Sequence, residues 1–295
     1  MHIETLKTFC DLVETASFSK AAKLNLVSQS AVSQQVRALE QRYGHQLIER
    51  GQAAGAIATE AGRLLYVESK ELLDRFRALE ERLRDRPSVM SGTVRVATVY
   101  SVGLHVVPPH LKAFLREHPQ VNIRLEYRRT DEIYAGCVSG DLHFGIVALP
   151  TRRAQLEVIP LWHDRLVFVC SPEHPLAGRK AVRLASLAGA PFIAFARDIP
   201  TRREIDRILR EHRVPVVRTM EFDNVETIKR SVEAGLGLSI LPDSAVASEV
   251  RAGALVALPF RDGTFLRPIA VIRRRARELP PAAQAFLRNL QEPLA

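Results

Sequence analysis

The chain has 295 residues and a formal net charge of +9 at pH 7, and this length is enough for about two or three domains. Its three cysteines, Cys10, Cys137 and Cys170, lie far apart, which argues against a disulfide framework or a zinc site and fits buried thiols in the cytoplasm. The segment Met1–Lys7 has no apolar run, so neither a signal peptide nor a membrane span is expected. Net charge alone does not indicate nucleic acid, because residues 1–62 hold six basic and six acidic side chains.

The first part of the chain predicts three helices. Apolar residues at helical spacing favour a first helix over about residues 3–15, and Ser19 is expected to cap a short second helix that ends at Leu24. After a tight turn, Ser28 is expected to cap a third helix that Gly44 ends. Helix, short helix, turn and third helix form the helix-turn-helix arrangement.

The third helix has a polar, almost uncharged face opposite an apolar stripe of Val32, Val36, Leu39 and Tyr43. Gln, Ser and Arg side chains can bond to base edges and phosphates, so this face suits the major groove of double-stranded DNA. An ordinary amphipathic surface helix would show the same pattern, and the helix alone leaves both interpretations open. The candidate DNA-binding residues are Ser28, Gln29, Ser30, Ser33, Gln34, Arg37 and, beyond the helix, Arg50, with Ser33 and Gln34 expected nearest the bases.

Several ordered motifs occupy this region: Phe18-Ser-x-Ala-Ala, Ser28-Gln-Ser-Ala-Val-Ser-x-Gln-Val-Arg-x-Leu-Glu40, Leu47-Ile-Glu-Arg50 and Thr59-Glu-Ala-Gly62. Together they resemble the LysR-type transcriptional regulators. The resemblance implies a DNA-binding domain over residues 1–62, in which the Gly- and Ala-rich stretch 47–59 forms a two-stranded wing. The family usually has a basic residue in this wing, whereas here the stretch between Arg50 and Thr59 has none and is one residue longer. A wing arginine in the minor groove is therefore not implied.

Residues 60–86 contain no proline and, after Gly62, no glycine, which predicts one long helix. Its apolar side chains follow the spacing of a coiled-coil seam: Leu65, Leu72, Phe76, Leu79 and Leu83. Packing against an identical chain would bury this stripe, and it would place the two third helices, which we call the reading helices, on successive DNA half-sites. The alternative is that the stripe packs on its own domain. Residues 63–86 are thus predicted as a dimerising linker helix and residues 87–92 as a hinge.

Beyond Gly92, strand-like and helical stretches alternate, which predicts α/β layers around mainly parallel sheets. The predicted strands are Thr93–Val99, Val121–Glu126, Phe144–Val147, Leu166–Cys170, Pro191–Ala194, Leu238–Leu241 and Pro268–Ile272. Residues 221–229 and 235–242 resemble the two-lobed effector-binding domain of the same family, which is similar to periplasmic binding proteins. The resemblance implies an effector domain over 93–295, with lobe 1 at about 93–164 and 265–295 and lobe 2 at about 165–264.

Four predicted strand ends lead into helices that open with a capping residue: Ser101, Thr130, Thr201 and Asp223 or Asn224, with Thr201 and Glu204 spaced for a capping box. Such junctions gather at the carboxyl ends of strands, where ligands bind. Free N–H groups at helix starts favour anions. Each cap alone is more often a plain helix terminus, but their convergence and the family resemblance favour a binding site. Arg128, Arg129, Arg202 and Arg203 beside the caps support an anion, with solvated surface charge as the alternative. The candidate effector-binding residues are Tyr100, Ser101, Thr130, Thr201, Arg202 and Asn224.

The sequence shows no nucleophile elbow, P-loop, zinc-ligand cluster or dinucleotide fingerprint, so an enzyme, a metal and a resident cofactor are not expected. The prediction is a cytoplasmic, sequence-specific transcription regulator that binds DNA and a small anionic effector, as a homodimer or homotetramer, and acts on RNA polymerase. A solute-binding module is the alternative, but it would need an export signal and has no use for residues 1–62. An architectural DNA binder would have no use for a two-lobed domain.

Overall fold

The structure is a computed structural model that describes residues 2–51, 55–84, 90–275 and 277–292. Contacts divide the chain into two compact units. The first comprises Met1–Val89 with the short segments Ser139–Asp141 and Arg277–Pro281, and the second comprises Met90–Val138, Leu142–Ala276 and Ala282–Ala295. Within the described ranges, no helix has both the length and the apolar composition needed to cross a membrane.

The first unit is a winged helix-turn-helix followed by a long helix, as predicted. The two wing strands pair antiparallel, with Ile48 opposite Ala58. Its elements are α1 (Ile3–Thr15), α2 (Phe18–Leu24), α3 (Gln29–Tyr43), β1 (Ile48–Gly51), β2 (Gly55–Ala58) and α4 (Glu60–Arg84).

The caps of α2 and α3 follow the expected chemistry with one correction. The Ser28 hydroxyl accepts a backbone N–H of the first turn of α3 at 3.1 Å, and Gly44 ends that helix in the left-handed region with φ 68°. The cap of α2 is Ser17 and not Ser19, because the chain is still extended at Ser17 and its hydroxyl accepts the first-turn N–H. Ser19 lies inside the first turn and donates to the Gln29 side chain at 3.1 Å.

Helix α4 carries two apolar faces. Tyr66 and Leu73 are buried in the core formed with α1 and α3. Leu65, which was predicted for the seam, is half-buried and packs against this same core. The other face stays open, with Leu72 48 % and Leu79 51 % exposed, and with Phe76 between them 39 % exposed. The side chain of Leu83 and residues 85–89 lie outside the described residues.

The second unit alternates strands and helices, as predicted for an α/β domain. A 3₁₀ turn at Leu184–Leu187 precedes β7. The helices are α5 (Tyr100–His105), α6 (Val107–Glu117), α7 (Thr130–Ser139), α8 (Pro200–Glu211), α9 (Val225–Glu233), α10 (Asp243–Arg251) and α11 (Pro281–Gln291). The strands are β3 (Ser91–Thr98), β4 (Gln120–Tyr127), β5 (Phe144–Ala148), β6 (Leu156–Cys170), β7 (Pro191–Phe195), β8 (Val217–Phe222), β9 (Ser239–Pro242), β10 (Val256–Leu258) and β11 (Phe265–Arg274).

The sheets are mixed, which corrects the prediction of mainly parallel ones. In the seven-stranded sheet the order is β10-β6-β11-β5-β3-β4, with β9 also paired to β6, while β7 and β8 form a separate parallel pair. Strands β4 and β5 pair parallel with β3, but β6 and β11 pair antiparallel with all their neighbours. The error arose at β6, whose residues 156–165 contain Pro160 and the polar run 163–165 and were not recognised as part of a strand.

Strands β6 and β11 run through both halves of this unit. They pair from Phe265 opposite Leu166 to Arg274 opposite Leu156, with a register shift between Ile269 and Ala270. We call the part containing β3, β4 and β5 the first lobe and the part containing β7, β8, β9 and β10 the second lobe. Each lobe has its own hydrophobic core.

The three cysteines are free and buried, as predicted. Burial raises the pKa of the Cys10 thiol to about 12 and that of Cys170 to about 11. Both groups are therefore neutral thiols at physiological pH and behave as small apolar side chains.

Gly62 provides a test of the first unit, since an added Cβ would lie 2.0 Å from the carbonyl oxygen of Leu47. Replacing a helical glycine with alanine ordinarily stabilises by about 1 kcal/mol. Here the obstacle is backbone, so Gly62→Ala should instead lower the free energy of unfolding by about 1–3 kcal/mol in a urea titration. Gly178→Ala, which meets open space, is the control and should change stability by less than about 0.5 kcal/mol. A stabilised Gly62→Ala variant would contradict the described packing of α4.

Candidate functional sites

Helix α3 buries its apolar stripe and exposes its polar face. Val32, Val36 and Leu39 are buried, whereas Tyr43, predicted on the same stripe, is 41 % exposed in the last turn of the helix. Of the candidate DNA-binding residues, Ser28, Gln29, Ser30, Gln34 and Arg37 are exposed and Ser33 is half-buried. Arg50 lies on β1, but its side chain is outside the described residues.

The polar side chains of α3 differ in how far they are already engaged. Ser28 caps the helix and its hydroxyl lies 2.8 Å from that of Ser30, while Gln29 accepts a bond from α2. Gln34 and Arg37 make no side-chain bond within the part of the chain that the structure describes. These two side chains therefore reach solvent with their hydrogen-bonding capacity unused.

A cavity of about 770 Å3 lies between the two lobes of the second unit. It is lined by the starts of four helices, α5, α7, α8 and α9, which follow the ends of β3, β4, β7 and β8. The predicted convergence of strand ends is therefore present. Five of the six candidate effector residues line the cavity: Tyr100, Ser101, Thr130, Thr201 and Asn224.

Only Asn224 acts as the predicted cap, accepting the Thr227 N–H at 3.0 Å. Ser101 and Thr201 are instead buried in the first turns of α5 and α8, where the cap positions lack a side-chain bond. At α8, Pro200 is the first helical residue, so Thr201 is the second and cannot form the capping box predicted with Glu204. Their hydroxyls are thus available to the cavity and not to the helix ends.

Thr130 is likewise not a cap through its own side chain. It is the first residue of α7, and the carboxylate of Glu132 accepts the N–H of the preceding Arg129 at 3.2 Å. This is the second half of a capping box, in which an acid reaches back to the cap position.

Arg267 on β11 is the residue of this site that sequence reasoning missed. Its side chain is almost fully buried, its Nη2 donates to the Ser101 hydroxyl at 2.7 Å, and its Nε donates to the Thr201 hydroxyl at 3.1 Å. A single guanidinium therefore bonds to one hydroxyl from each lobe. The available signal was a lone arginine in an otherwise apolar strand, Phe265–Ile272.

The charge of Arg267 is only partly balanced. It lies opposite Asp164 in the register of β6 and β11, and its Nη1 is 3.7 Å from a carboxylate oxygen of Asp164. Burial lowers the pKa of Arg267 to about 10, against an opposing effect of Asp164, so the side chain remains charged at neutral pH.

The cavity is lined by more arginines than acids. The described lining contains seven arginines, Arg128, Arg129, Arg153, Arg203, Arg207, Arg210 and Arg267, and four acids, Asp131, Asp198, Glu204 and Asp223. Three further acids just outside the lining, Glu126, Glu211 and Asp164, pair with Arg128, Arg207 and Arg267. Arg153, Arg203 and Arg210 form no ion pair within the part of the chain that the structure describes.

Ion pairs join the two lobes around the cavity. Arg129, before α7, contacts Asp198, before α8, and lies 4.0 Å from Asp223, before α9. Outside the cavity lining, His105 Nε2 is hydrogen-bonded to Glu226 Oε1 at 2.7 Å. Arg129 and Asp198 are 58 % and 53 % exposed, so their ion pair contributes at most about 1 kcal/mol to the spacing of the lobes.

Arg202 does not line the cavity, which corrects its assignment. Its guanidinium is buried on the other side of α8, where Nε bonds to Asp206 at 2.8 Å and Nη1 to Glu221 at 3.0 Å. Nη1 also donates to the Phe195 carbonyl at the end of β7. The neighbouring Arg203 is exposed and lines the cavity instead.

A winged helix-turn-helix with an exposed polar helix, joined to a two-lobed domain with a charged cleft, defines a ligand-responsive regulator of transcription. Residues 3–63 match the model of the bacterial regulatory helix-turn-helix proteins of the lysR family, and residues 88–295 match the LysR substrate binding domain. The chain belongs to the LysR family of bacterial transcriptional regulators, which are DNA-binding proteins and not enzymes.

Similar proteins cover nearly the whole chain. The RuBisCO operon transcriptional regulator of Allochromatium vinosum is 30% identical over 288 residues, 97% of this chain and 95% of that protein. The uncharacterized regulator YeiE of Escherichia coli is 30% identical over 291 residues, 97% of each chain. A full-length OxyR variant from Pseudomonas aeruginosa has a similar fold, with a TM-score of 0.81, 23% identity and coverage of 98% of this chain and 94% of that one. Full-length CbnR complexed with its target DNA has a TM-score of 0.67 and 23% identity, covering 98% and 99% of the two chains.

Variants of Arg202 and Arg203 test whether the first arginine stabilises the fold while the second only lines the cavity. Arg202→Ala should lower the free energy of unfolding by about 3 kcal/mol, because it removes the buried cation that Asp206 and Glu221 share. The loss is no larger because both carboxylates keep some contact with water. Arg203→Ala removes an exposed side chain and should change stability by less than about 0.5 kcal/mol. Thermal and urea unfolding of the two adjacent variants give the comparison. Equal stabilities would show that the buried contacts of Arg202 are not formed.

Proposed function

We propose that this LysR-family regulator is controlled by a small anionic metabolite that binds in the cavity between the two lobes. The observation that carries the proposal is a set of lining arginines without an ion-pair partner among the described residues, Arg153, Arg203 and Arg210, in a cleft onto which four helix starts converge. Anions are attracted by both features, and confinement between two low-dielectric walls strengthens the attraction. A cavity of about 770 Å3 also suits a metabolite of ordinary size.

We assign a role to each segment in chain order. Residues 1–62 bind DNA, 63–86 pair two chains, 87–92 act as a hinge, and 93–295 bind the effector. Lobe 1 takes in about 93–164 and 265–295, and lobe 2 takes in about 165–264. Residues 87–89 of the hinge lie outside the described residues. The assembly is a cytoplasmic homodimer or homotetramer that acts on promoter DNA with RNA polymerase as a partner.

The proposed switch uses the two-sided nature of the cleft. A ligand that contacts both lobes has an affinity that depends on their separation, and by linkage its binding shifts that separation. DNA that stays bound to both reading helices must bend when their spacing changes, and this bending costs on the order of 1–6 kcal/mol.

The effector is tested on the full-length chain. Carboxylic acids, phosphorylated acids and neutral sugars of similar size are screened by thermal shift, and only the anions are expected to raise the melting temperature. A hit is then titrated in a footprinting assay on a DNA site obtained by binding-site selection, where it should change the protected region or the affinity. A response to neutral compounds alone would reject the anionic effector while leaving the DNA-binding function intact.

Gln34 tests the reading helix. Gln34→Ala should weaken binding to the selected site by about 1–3 kcal/mol and relax the preference at one base position, because one side-chain contact to a base edge is lost. Gln41→Ala is the control, since Gln41 is exposed on the same helix ~10 Å further from the end that enters the groove. If the Gln34 variant keeps the affinity and preference of the parent, another face of α3 reads the DNA.

The open face of α4 is the proposed dimer seam. Replacing both Leu72 and Leu79 with Asp would bury charges in that seam, so light scattering should show dissociation to monomers. Leu64→Asp is the control, because Leu64 is 66 % exposed on α4 but is not part of the predicted seam. A double variant that keeps the parent oligomer would place the seam elsewhere.

A further inference from the structure

We propose that four exposed cations of the second lobe, Arg179, Lys180, Arg183 and Arg261, form a surface that binds the phosphate backbone of DNA. We call these four residues the basic patch. The inference goes beyond the proposed function, because it concerns neither the effector nor the base sequence that α3 contacts.

The net charge of the chain lies outside the helix-turn-helix part. Residues 1–62 hold six bases and six acids, so the whole formal charge of +9 comes from residues 63–295. A surface of net positive charge attracts DNA over a distance and binds its phosphates without regard to sequence. Residues 1–62 have no such net charge, so a positive surface of the second unit can supply an attraction that they lack.

A short parallel pairing brings two segments of the basic patch together. Val182 pairs with Phe260, and the Arg261 N–H donates to the Val182 carbonyl at 2.8 Å. Val182 and Phe260 are both buried in the core of the second lobe. The backbone at Arg183 is extended, and successive side chains of extended backbone point to opposite faces. Arg183 and Arg261, each next in sequence to a buried residue, are therefore neighbours on the exposed side.

The other two cations lie just before this pairing. Arg179 closes a turn, with its N–H donating to the Leu176 carbonyl at 3.0 Å, and both Arg179 and Lys180 are exposed. From residue 179 to residue 183 the chain can extend over at most about 14 Å. One DNA strand carries a phosphate every ~3.4 Å along the helix axis, so this length matches about four phosphates. The spacing of the cations thus suits one strand of the backbone.

Acids near the basic patch do not pair with it. None of its four cations forms an ion pair with a residue in the described ranges. Asp262 follows Arg261 in sequence, but its carboxylate accepts the N–H of Leu184 at 2.7 Å. Glu173 is the other acid of these segments, and four cations with two acids leave two net positive charges.

Other arginines of the second unit show the contrasting arrangement. Their guanidinium groups are exposed but are paired with carboxylates within 2.8 Å: Arg165 with Asp243, Arg207 with Glu211, and Arg230 with Glu233. A carboxylate that is already in place competes with any external anion for such an arginine. The cations of the basic patch meet no such competition from the described residues.

DNA suits this surface better than a small anion does. An exposed cation holds a single free anion weakly, because water and salt screen the pair. The phosphates of DNA are spaced regularly, so one strand contacts several cations at once. The helix-turn-helix also holds the same molecule near the protein, which raises the effective concentration of DNA at a second surface of the chain.

The patch is tested on the full-length protein by replacing Arg183 and Arg261 together with Gln. This double variant should bind the selected DNA site and an unrelated duplex of equal length roughly tenfold more weakly than the parent, with an unchanged base preference, because phosphate contacts carry no sequence information. Ethylation interference should show, in the parent alone, a set of phosphates that depends on the two arginines. Both side chains are exposed, so urea unfolding and light scattering should match the parent.

Two further variants make the result specific. Replacing Arg124 and Arg288 with Gln removes the same charge from exposed positions of the first lobe and should keep the DNA affinity within about twofold. Replacing Arg183 and Arg261 with Lys keeps the charge and should retain most of the affinity, since lysine also binds phosphate.

An equal loss of affinity in the two Gln double variants would show an effect of total charge and would overturn the patch. Unchanged DNA affinity in the Arg183 and Arg261 variant would also overturn it, and a change in transcription in vitro without a change in affinity would assign these cations to an acidic protein partner instead. None of these measurements involves the cleft, so the effector proposal stands or falls separately.

Discussion

The antiparallel pairing of β6 with β11 is the constraint on which the second unit depends. Both strands pass through both lobes, and β11 places Arg267 opposite Asp164 between them. Because the two lobes share these strands but keep separate cores, any change in the angle between the lobes falls on the crossing strands. This arrangement suits the switch proposed above.

Stability and recognition are opposed at the base of this cleft. Lys229 shows how a buried cation is satisfied when it serves the fold, since its ammonium bonds to the Ala245 carbonyl at 3.0 Å and to Glu249 at 2.8 Å. Arg267 is equally buried but keeps one nitrogen without a hydrogen-bond acceptor within the described residues. A protein selected only for stability would place an apolar side chain there. Incomplete bonding of this buried charge thus costs the fold stability at the base of the cleft.

The sequence was sufficient where local chemistry decides the structure. Ser28 and Gly44 mark the ends of α3, and Val32, Val36 and Leu39 mark its buried face, because caps and helical periodicity are local properties. It was insufficient where tertiary contacts decide. Leu65 fits a heptad but packs on the domain that precedes it, and Arg202 and Arg203 are adjacent arginines that helix α8 turns in different directions. Arg267 could not be assigned from the chain alone, since its partners Ser101 and Thr201 are 166 and 66 residues away.

The even balance of charge in the DNA-binding part has a consequence for how this regulator finds its sites. Residues 1–62 carry six basic and six acidic side chains, and the stretch between Arg50 and Thr59 adds no further cation. Each phosphate that a protein neutralises releases condensed counterions. The logarithm of the affinity then falls with the logarithm of the salt concentration by a further slope of about 0.9. With six cations per domain, the slope of log affinity against log salt that this domain contributes is limited to about 5 for each protomer. The number of cations that contact phosphates, and not the net charge of the domain, therefore sets how strongly salt weakens its binding to DNA.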